Sequence, residues 1–448
     1  MVSKKFNLNL NKKILPFKKS IQVDADKSIS IRSFLIGSIC QNVSYAENIL
    51  ESDDVVSTIA CLKKLGVKIK RIKKGKYLIY GKGIGSLHIK KNGKLKLNNS
   101  GTLARLLIGI LTTTSDIQVH LGGDHSLNKR SMKSLINLME KFGAKFLPKG
   151  KLNFPLKLIS ANMPVGINYK SGVSAQLKSA VIFAGLNSYG NTTISEIYKS
   201  RDHTENLLQE NSQSIKIKKN KKKIINIFGK QQLNSINVSV PNDPSSAAFF
   251  SALTLLNKNS ELKIKNVGLN PTRTGFYQLL KKHGAKIQFK NMKRKNNELR
   301  GDIIIKNSKL SPIRASKKYY VNSTDEYPIL FVLAALTKGI SIFDGIGDLA
   351  NKESNRIIEM KKILSQINIK TKFFKGKFLI YGQGMIDLRR KKISVPNLGD
   401  HRICMSSFVL ALLTGVNTKI QNFETVFTSS PSFLKIMKML GAKFEIQK

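Results

Sequence analysis

The segments Lys74-Gly-Lys-Tyr-Leu-Ile-Tyr-Gly-Lys-Gly83 and Lys375-Gly-Lys-Phe-Leu-Ile-Tyr-Gly-Gln-Gly384 share eight of their ten residues, although most of the chain lies between them. In each, a Lys-Gly turn precedes an alternating aromatic-Leu-Ile-Tyr strand, the pattern of a β-hairpin with one buried face. The chain is therefore built at least twice over. A protein of two halves tends to place its chemistry in the cleft between them, so functional residues are to be sought where the halves differ.

The repetition goes deeper. An amphipathic run ending in Gly-(Ala/Val)-Lys and followed by an apolar strand occurs at Leu62-Lys-Lys-Leu-Gly-Val-Lys68, Met139-Glu-Lys-Phe-Gly-Ala-Lys145, Leu280-Lys-Lys-His-Gly-Ala-Lys286 and Met437-Lys-Met-Leu-Gly-Ala-Lys443. Degenerate copies stand at Leu207 to Lys216 and Met360 to Lys370. Glycine after a helix is the left-handed cap, and lysine beside it suits the negative end of the helix dipole. The spacing predicts six α/β units of roughly 70 to 80 residues, three per half, each a helix feeding a β-hairpin.

Composition narrows the function classes. The chain has 448 residues and 41% hydrophobic content, enough for two domains with sizeable cores. No apolar run reaches the roughly 18 to 20 residues of a membrane helix, and no signal-peptide pattern opens the chain, so a soluble cytoplasmic protein is expected. Cys40, Cys61 and Cys404 are too few for a disulfide framework, and the six histidines have no metal-ligand spacing, so no structural metal is expected. The formal charge of +50 would attract nucleic acid or steer phosphorylated anions. Lysine is, however, spread with Asn and Ile through every hairpin loop. The basic runs 216–223, 293–295 and 389–392 carry no interleaved aromatics for base stacking and are expected to be solvated turns.

Candidate chemistry gathers at helix starts. Asp26-Lys-Ser-Ile-Ser-Ile-Arg32 opens an expected amphipathic helix running past Phe34, with Ser28 and Arg32 on one face and Lys27 in the first turn, where free amides favour an anion. Asn99-Ser-Gly-Thr-Leu-Ala-Arg105 is another capped start, with Gly101 allowing close backbone approach. Arg130, in a polar loop before Lys133, has the planar fork that clamps a carboxylate. Ser174, Ala175 and Gln176 open a further helix. Arg201-Asp-His-Thr-Glu205 has the composition either of a capped helix start or of a ligand-facing corner.

In the second half, Asp243 and Pro244 form a strong helix-start signal, read as structural. Asp325 and Glu326 stand at the lip of a very apolar helix in a chain poor in acids, where a carboxylate can take a proton from a hydroxyl. In Lys352-Glu-Ser-Asn-Arg356, Glu353 and Arg356 are expected on one helix face, with Lys352 adjacent; Arg402 follows Asp400-His401 at another helix start. Arginine and lysine on several helix N-termini, with two separate acids, describe a site for a ligand bearing several anionic groups and a reaction of proton transfer.

These motifs, taken with Asn270-Pro-Thr-Arg-Thr-Gly275, occur in order over nearly the whole chain, and together they resemble the 5-enolpyruvylshikimate-3-phosphate synthase family. The resemblance implies an α/β, two-domain enolpyruvyl transferase fold, with 20–237 as one domain and 1–19 plus 238–448 as the other. It implies transfer of the enolpyruvyl group of phosphoenolpyruvate to the 5-hydroxyl of shikimate 3-phosphate, with release of phosphate and without a cofactor. Lys27, Ser28, Arg32, Ser174, Ala175, Gln176, Arg201, Asp325 and Lys352 would hold shikimate 3-phosphate. Lys27, Gly101, Arg130, Gln176, Arg356 and Arg402 would hold phosphoenolpyruvate. Asp325 would be the base, Glu353 the acid, and Lys27 a catalytic cation.

The implied partners are these two small molecules; the chain would act as a monomer, with no specific nucleic acid and no membrane. It departs from the family pattern at Asp24-Ala25, Ser131, Asn242 and Asn355, and at Thr428-Ser-Ser-Pro431, where many members carry a lysine. Retention of Gly101 implies an uncrowded phosphoenolpyruvate pocket and sensitivity to glyphosate. The rivals are the sister enolpyruvyl transferase acting on UDP-N-acetylglucosamine and an RNA-end-binding or cyclase-like protein. The first lacks its reactive cysteine, since residues 114–129 contain none, and the second lacks a stacking platform.

Overall fold

The computed structural model describes residues 5–219, 222–384 and 391–447; parts of two basic runs, 220–221 and 389–390, lie outside the described residues. Six four-stranded sheets share one internal order. In one of them, Gly93–Asn98 runs parallel to Gln118–Gly123, which pairs antiparallel with Leu156–Ile159, whose other neighbour is Lys145–Leu147. Helix Gly101–Thr112 joins the first two strands and helix Lys133–Glu140 leads to the closing hairpin. Each module is thus strand, helix, strand, helix and hairpin. The repeat visible in the sequence is the second half of this module.

Two strands are exchanged between modules. Lys18–Ile21 precedes helix Lys27–Ile39 in sequence but runs parallel to Glu261–Gly268, in the module of helix Pro244–Leu256. Asn237–Ser239, which precedes helix Pro244–Leu256, instead runs parallel to Val43–Glu47. The last module takes its fourth strand from Asn7–Leu10, which pairs with Asn417–Ile420 and Glu445–Gln447. The chain divides into two compact units, one of Met1–Asp24, Pro241–Arg294 and Leu299–Lys448, the other of Ala25–Val240 with Lys295–Glu298. Each has its own apolar core.

The first helix of a module is the central one. In Pro244–Leu256, Tyr327–Ala335 and His401–Thr414 nearly every residue is buried, so apolar residues occupy all sides rather than one stripe. Helix Lys27–Ile39 is likewise buried without interruption from Ile29 to Ile39, which corrects the expected amphipathic helix. Its serines are satisfied internally: Ser33 and Ser38 donate to the carbonyls of Ile29 and Leu35, and Ser30 accepts from the Leu50 amide. Only Lys27 and Ser28, in its first turn, are partly exposed. In unit Ala25–Val240 the central helices approach closely, because a Cβ on Gly109 would lie 2.5 Å from the Ala180 carbonyl oxygen.

The second helix of a module is amphipathic and ends as the sequence predicts. Lys133–Glu140 buries Leu135, Ile136, Leu138 and Met139. Gly66, Gly143, Gly284 and Gly441 follow their helices at φ of +86° to +97°, and Asn368 takes the left-handed position in a degenerate copy. The repeated hairpins pair Lys68–Lys73 with Lys76–Tyr80 and Thr371–Phe374 with Lys377–Gly382, burying Tyr77 and Ile79 in one and Phe378 and Ile380 in the other. The basic runs are not simply solvated turns. Lys216 and Lys293 lie on strand arms, and Lys223 reaches Glu196 at 3.3 Å and Glu205 at 3.2 Å.

Candidate active site

In the unit of Ala25–Val240, three central helices begin with side-chain caps: Asp26 accepts from the Ile29 amide, Ser100 from Leu103 and Ser174 from Leu177. First-turn amides lie outside the helix ladder and favour an anion, although at the second start the Gly101 amide already donates to the Asn99 carbonyl at 3.0 Å. Gln176 Nε2 donates to Thr102 Oγ1 at 2.9 Å, which ties the second start to the third. Arg105 Nη1 bonds the Gly101 carbonyl, and Arg130 Nη2 bonds Asn99 at 2.9 Å. A Cβ on Gly101 would lie 2.8 Å from Arg105 Nη1 and 3.1 Å from Arg130 Nη1, so glycine leaves room between two guanidinium groups.

Lys27, in the first turn, forms an ion pair with Asp54 at 3.0 Å. Arg32 is buried and donates to Thr204 Oγ1, Ser179 Oγ and the Ser28 carbonyl. Gly101, Arg130, Ser174, Ala175 and Gln176 thus form one connected group, with Ser28 and Arg32 joined to the third helix through Ser179. Arg201 lies just before helix His203–Leu208 and is partly exposed. Sequence reasoning missed Asp54, Ser179 and Thr204. Asp54 was signalled by Ser52-Asp-Asp54 at a helix start; the two hydroxyls carried no local signal.

In the other unit, Arg356 is fully buried and gathers three acids. Its Nε lies 2.9 Å from Asp400 Oδ2, its Nη2 2.6 Å from Glu353 Oε2, and its Nη1 3.7 Å from Asp325 Oδ1. Burial alone would weaken its charge, but Asp400, Glu353 and Asp325 outweigh that and hold the guanidinium firmly protonated. Glu353 does not sit on the helix as expected: the helix is Arg356–Ser365, capped by Asn355, whose side chain accepts from the Ile358 amide. The Asn355 departure therefore retains a capping function. Asp325 and Glu326 lie in a short 3-10 turn ahead of helix Tyr327–Ala335; Glu326 is buried against the Ser245 hydroxyl, while Asp325 is partly exposed.

Asp400, which sequence reasoning quoted only as part of a motif, connects two of these elements. It caps helix His401–Thr414 by accepting from the Arg402 amide while also bonding Arg356 and Ser354. Arg402 is 4% exposed, and its Nε and Nη1 have no hydrogen-bond partner among the described residues. Its guanidinium lies 5.7 Å from the Phe249 ring centre. A buried guanidinium at a helix N-terminus has the sign and the donors to bind an anion. Lys352 bonds Asp348 at 2.5 Å, and Tyr320 donates to the same carboxylate. The departure at Asp24 is absorbed locally, where its carboxylate accepts from Ser430 Oγ and the Ser432 amide beside the Thr428-Ser-Ser-Pro431 turn.

The profile of EPSP synthase (3-phosphoshikimate 1-carboxyvinyltransferase) matches residues 12–437. A 3-phosphoshikimate 1-carboxyvinyltransferase from Paramagnetospirillum magneticum is 35% identical over 97% of both chains, and one from Bacillus subtilis is 35% identical over 94% of this chain and 97% of its own. The solved EPSP synthase of Acinetobacter baumannii superposes with a TM-score of 0.84 at 31% identity, covering 99% of this chain and 100% of that one. The enolpyruvyl transferase NikO from Streptomyces tendae, at 13% identity and a TM-score of 0.74, shares the fold. The two rival readings are not favoured. The chain belongs to the EPSP synthase family, the 3-phosphoshikimate 1-carboxyvinyltransferases.

Proposed function

We propose that this chain transfers the carboxyvinyl group of phosphoenolpyruvate to the 5-hydroxyl of shikimate 3-phosphate, releasing inorganic phosphate. The observation that carries the reading is the pair Arg356 and Arg402: one guanidinium shared by the three acids Asp325, Glu353 and Asp400, the other buried with unused donors among the described residues. Phosphoenolpyruvate supplies the anionic oxygens that Arg402 lacks. It also takes donors of Arg356 away from Glu353, freeing that carboxyl to carry a proton. Arg130, Gln176, Lys27 and Gly101 hold the remainder of phosphoenolpyruvate. Lys27, Ser28, Arg32, Ser174, Ala175, Gln176, Arg201 and Lys352 hold shikimate 3-phosphate.

Asp325 removes the proton of the 5-hydroxyl as its oxygen bonds to C2 of phosphoenolpyruvate, and Glu353 protonates the methylene carbon, giving a tetrahedral adduct. Loss of a proton from the new methyl group and departure of phosphate restore the double bond. Cations around the phosphate stabilise the charge it gains on leaving. The reaction requires no cofactor, and a monomeric cytoplasmic enzyme suffices for it. No helix among the described residues is long and apolar enough to cross a membrane.

The test is phosphate release from phosphoenolpyruvate with either shikimate 3-phosphate or UDP-N-acetylglucosamine as acceptor. Release with shikimate 3-phosphate alone is expected. Release only with the sugar nucleotide, or with neither, would overturn the proposal.

A further inference from the structure

Arg32 is held by an unusual set of partners. A guanidinium offers one forked edge, made of Nε–H and an Nη–H, that ordinarily grips a carboxylate or phosphate with two parallel bonds. In Arg32 this edge is filled by two neutral hydroxyls: Nε donates to Thr204 Oγ1 at 2.8 Å and Nη2 to Ser179 Oγ at 3.1 Å. The hydroxyls are 2.8 Å from each other, so they close a ring with the guanidinium. Nη1 is fixed by the Ser28 carbonyl at 3.0 Å. All three side chains are buried, with Arg32 3% exposed.

The sequence neighbours of the two hydroxyls form a second, charged contact across the same pair of helices. Lys178, beside Ser179, lies 2.8 Å from Glu205, beside Thr204. The ion pair locks helix Ala175–Leu186 to helix His203–Leu208 whether or not the hydroxyls are present. The Ser179–Thr204 pair is therefore free to serve the arginine it surrounds.

We propose that Ser179 and Thr204 are positioning residues for shikimate 3-phosphate: they occupy one edge of Arg32 and fix the orientation of its guanidinium. This rests on the reading of Arg32 as a shikimate 3-phosphate ligand. Hydroxyls hold the guanidinium without adding a negative charge beside an anionic substrate, as a carboxylate at either position would.

The test uses the full chain with Thr204→Val, Ser179→Ala and Thr204→Ser, measuring steady-state constants for both substrates and the thermal midpoint. Thr204→Val is expected to raise the KM for shikimate 3-phosphate about tenfold while kcat and the KM for phosphoenolpyruvate stay near wild type. Ser179→Ala should act in the same direction, and Thr204→Ser, which keeps the oxygen, should restore the wild-type value. An unchanged shikimate 3-phosphate KM in both Thr204→Val and Ser179→Ala overturns the proposal. So does a joint loss of kcat, both KM values and thermal stability that Thr204→Ser fails to rescue. A wild-type chain inactive on the two substrates overturns the functional reading beneath it, whereas an active wild type with both Thr204→Val and Ser179→Ala unshifted overturns the positioning role alone.

Discussion

Arg356 gives its donors to Glu353 and Asp400 and lies near Asp325, so two of the acids assigned to proton transfer are oriented by one guanidinium. Removing either changes chemistry more than binding. Asp325→Ala and Glu353→Gln should each lower kcat by roughly 10²-fold or more, with substrate KM values little changed, in steady-state assays; full turnover in either variant removes that residue from the mechanism. Gly101→Ala is a different kind of change. Its new methyl would meet the mobile ends of Arg105 and Arg130, so the fold should survive while the phosphoenolpyruvate KM rises by about tenfold and glyphosate inhibition weakens. An unchanged KM and inhibition curve would show that neither arginine had moved. At this scale the arginines were legible because each stands at or near a helix start. Their partners were not: Asp400 lies 44 residues from Arg356, and Ser179 and Thr204 lie 147 and 172 residues from Arg32. Sequence spacing carries no information about such pairs.

Among the elements, the amphipathic helices and hairpins were readable because their periodicity is local. The central helices were harder. Lys27–Ile39 contains an arginine and several serines, which suggested a wet face, yet Arg32, Ser30, Ser33 and Ser38 are buried and bonded to protein groups. The same holds for Ala175–Leu186, where the fully buried Lys178 is paired with Glu196 at 2.6 Å and Glu205 at 2.8 Å, and Lys223 completes the network. Lys178→Met would leave two buried carboxylates to Lys223 alone, and we expect a loss of about 3 kcal/mol in denaturant unfolding. A loss near zero would mean that the network contributes nothing net.

Acid should act on the same network. Burial would raise both glutamates, but Lys178 and Lys223 outweigh it and hold Glu196 and Glu205 below the ordinary value of 4.5. Their contribution is therefore complete above 4.5 and lost as pH falls through the lower folded values. Unfolding free energy should decline as pH drops from about 5 toward 3, with a shallower decline in Glu196→Gln/Glu205→Gln. Equal slopes in the two proteins would contradict this assignment.

For the whole molecule, a repeated hairpin implied duplication, and six modules of one topology are what the chain forms. The exchange of Lys18–Ile21 and Asn237–Ser239 between modules was not visible from local pattern, because either strand could pair with either sheet by its composition. What the modules share is the scaffold. The starts of the central helices have diverged, and there the arginines, acids and hydroxyls lie. The most direct test of the proposed chemistry is phosphorus NMR of the wild-type protein with phosphoenolpyruvate and shikimate 3-phosphate. Loss of the phosphoenolpyruvate signal is expected, with one inorganic phosphate gained for each molecule consumed and the 3-phosphate ester of shikimate intact in the product. Phosphate arising from that 3-phosphate ester, or phosphoenolpyruvate persisting beside shikimate 3-phosphate, would contradict the proposed chemistry.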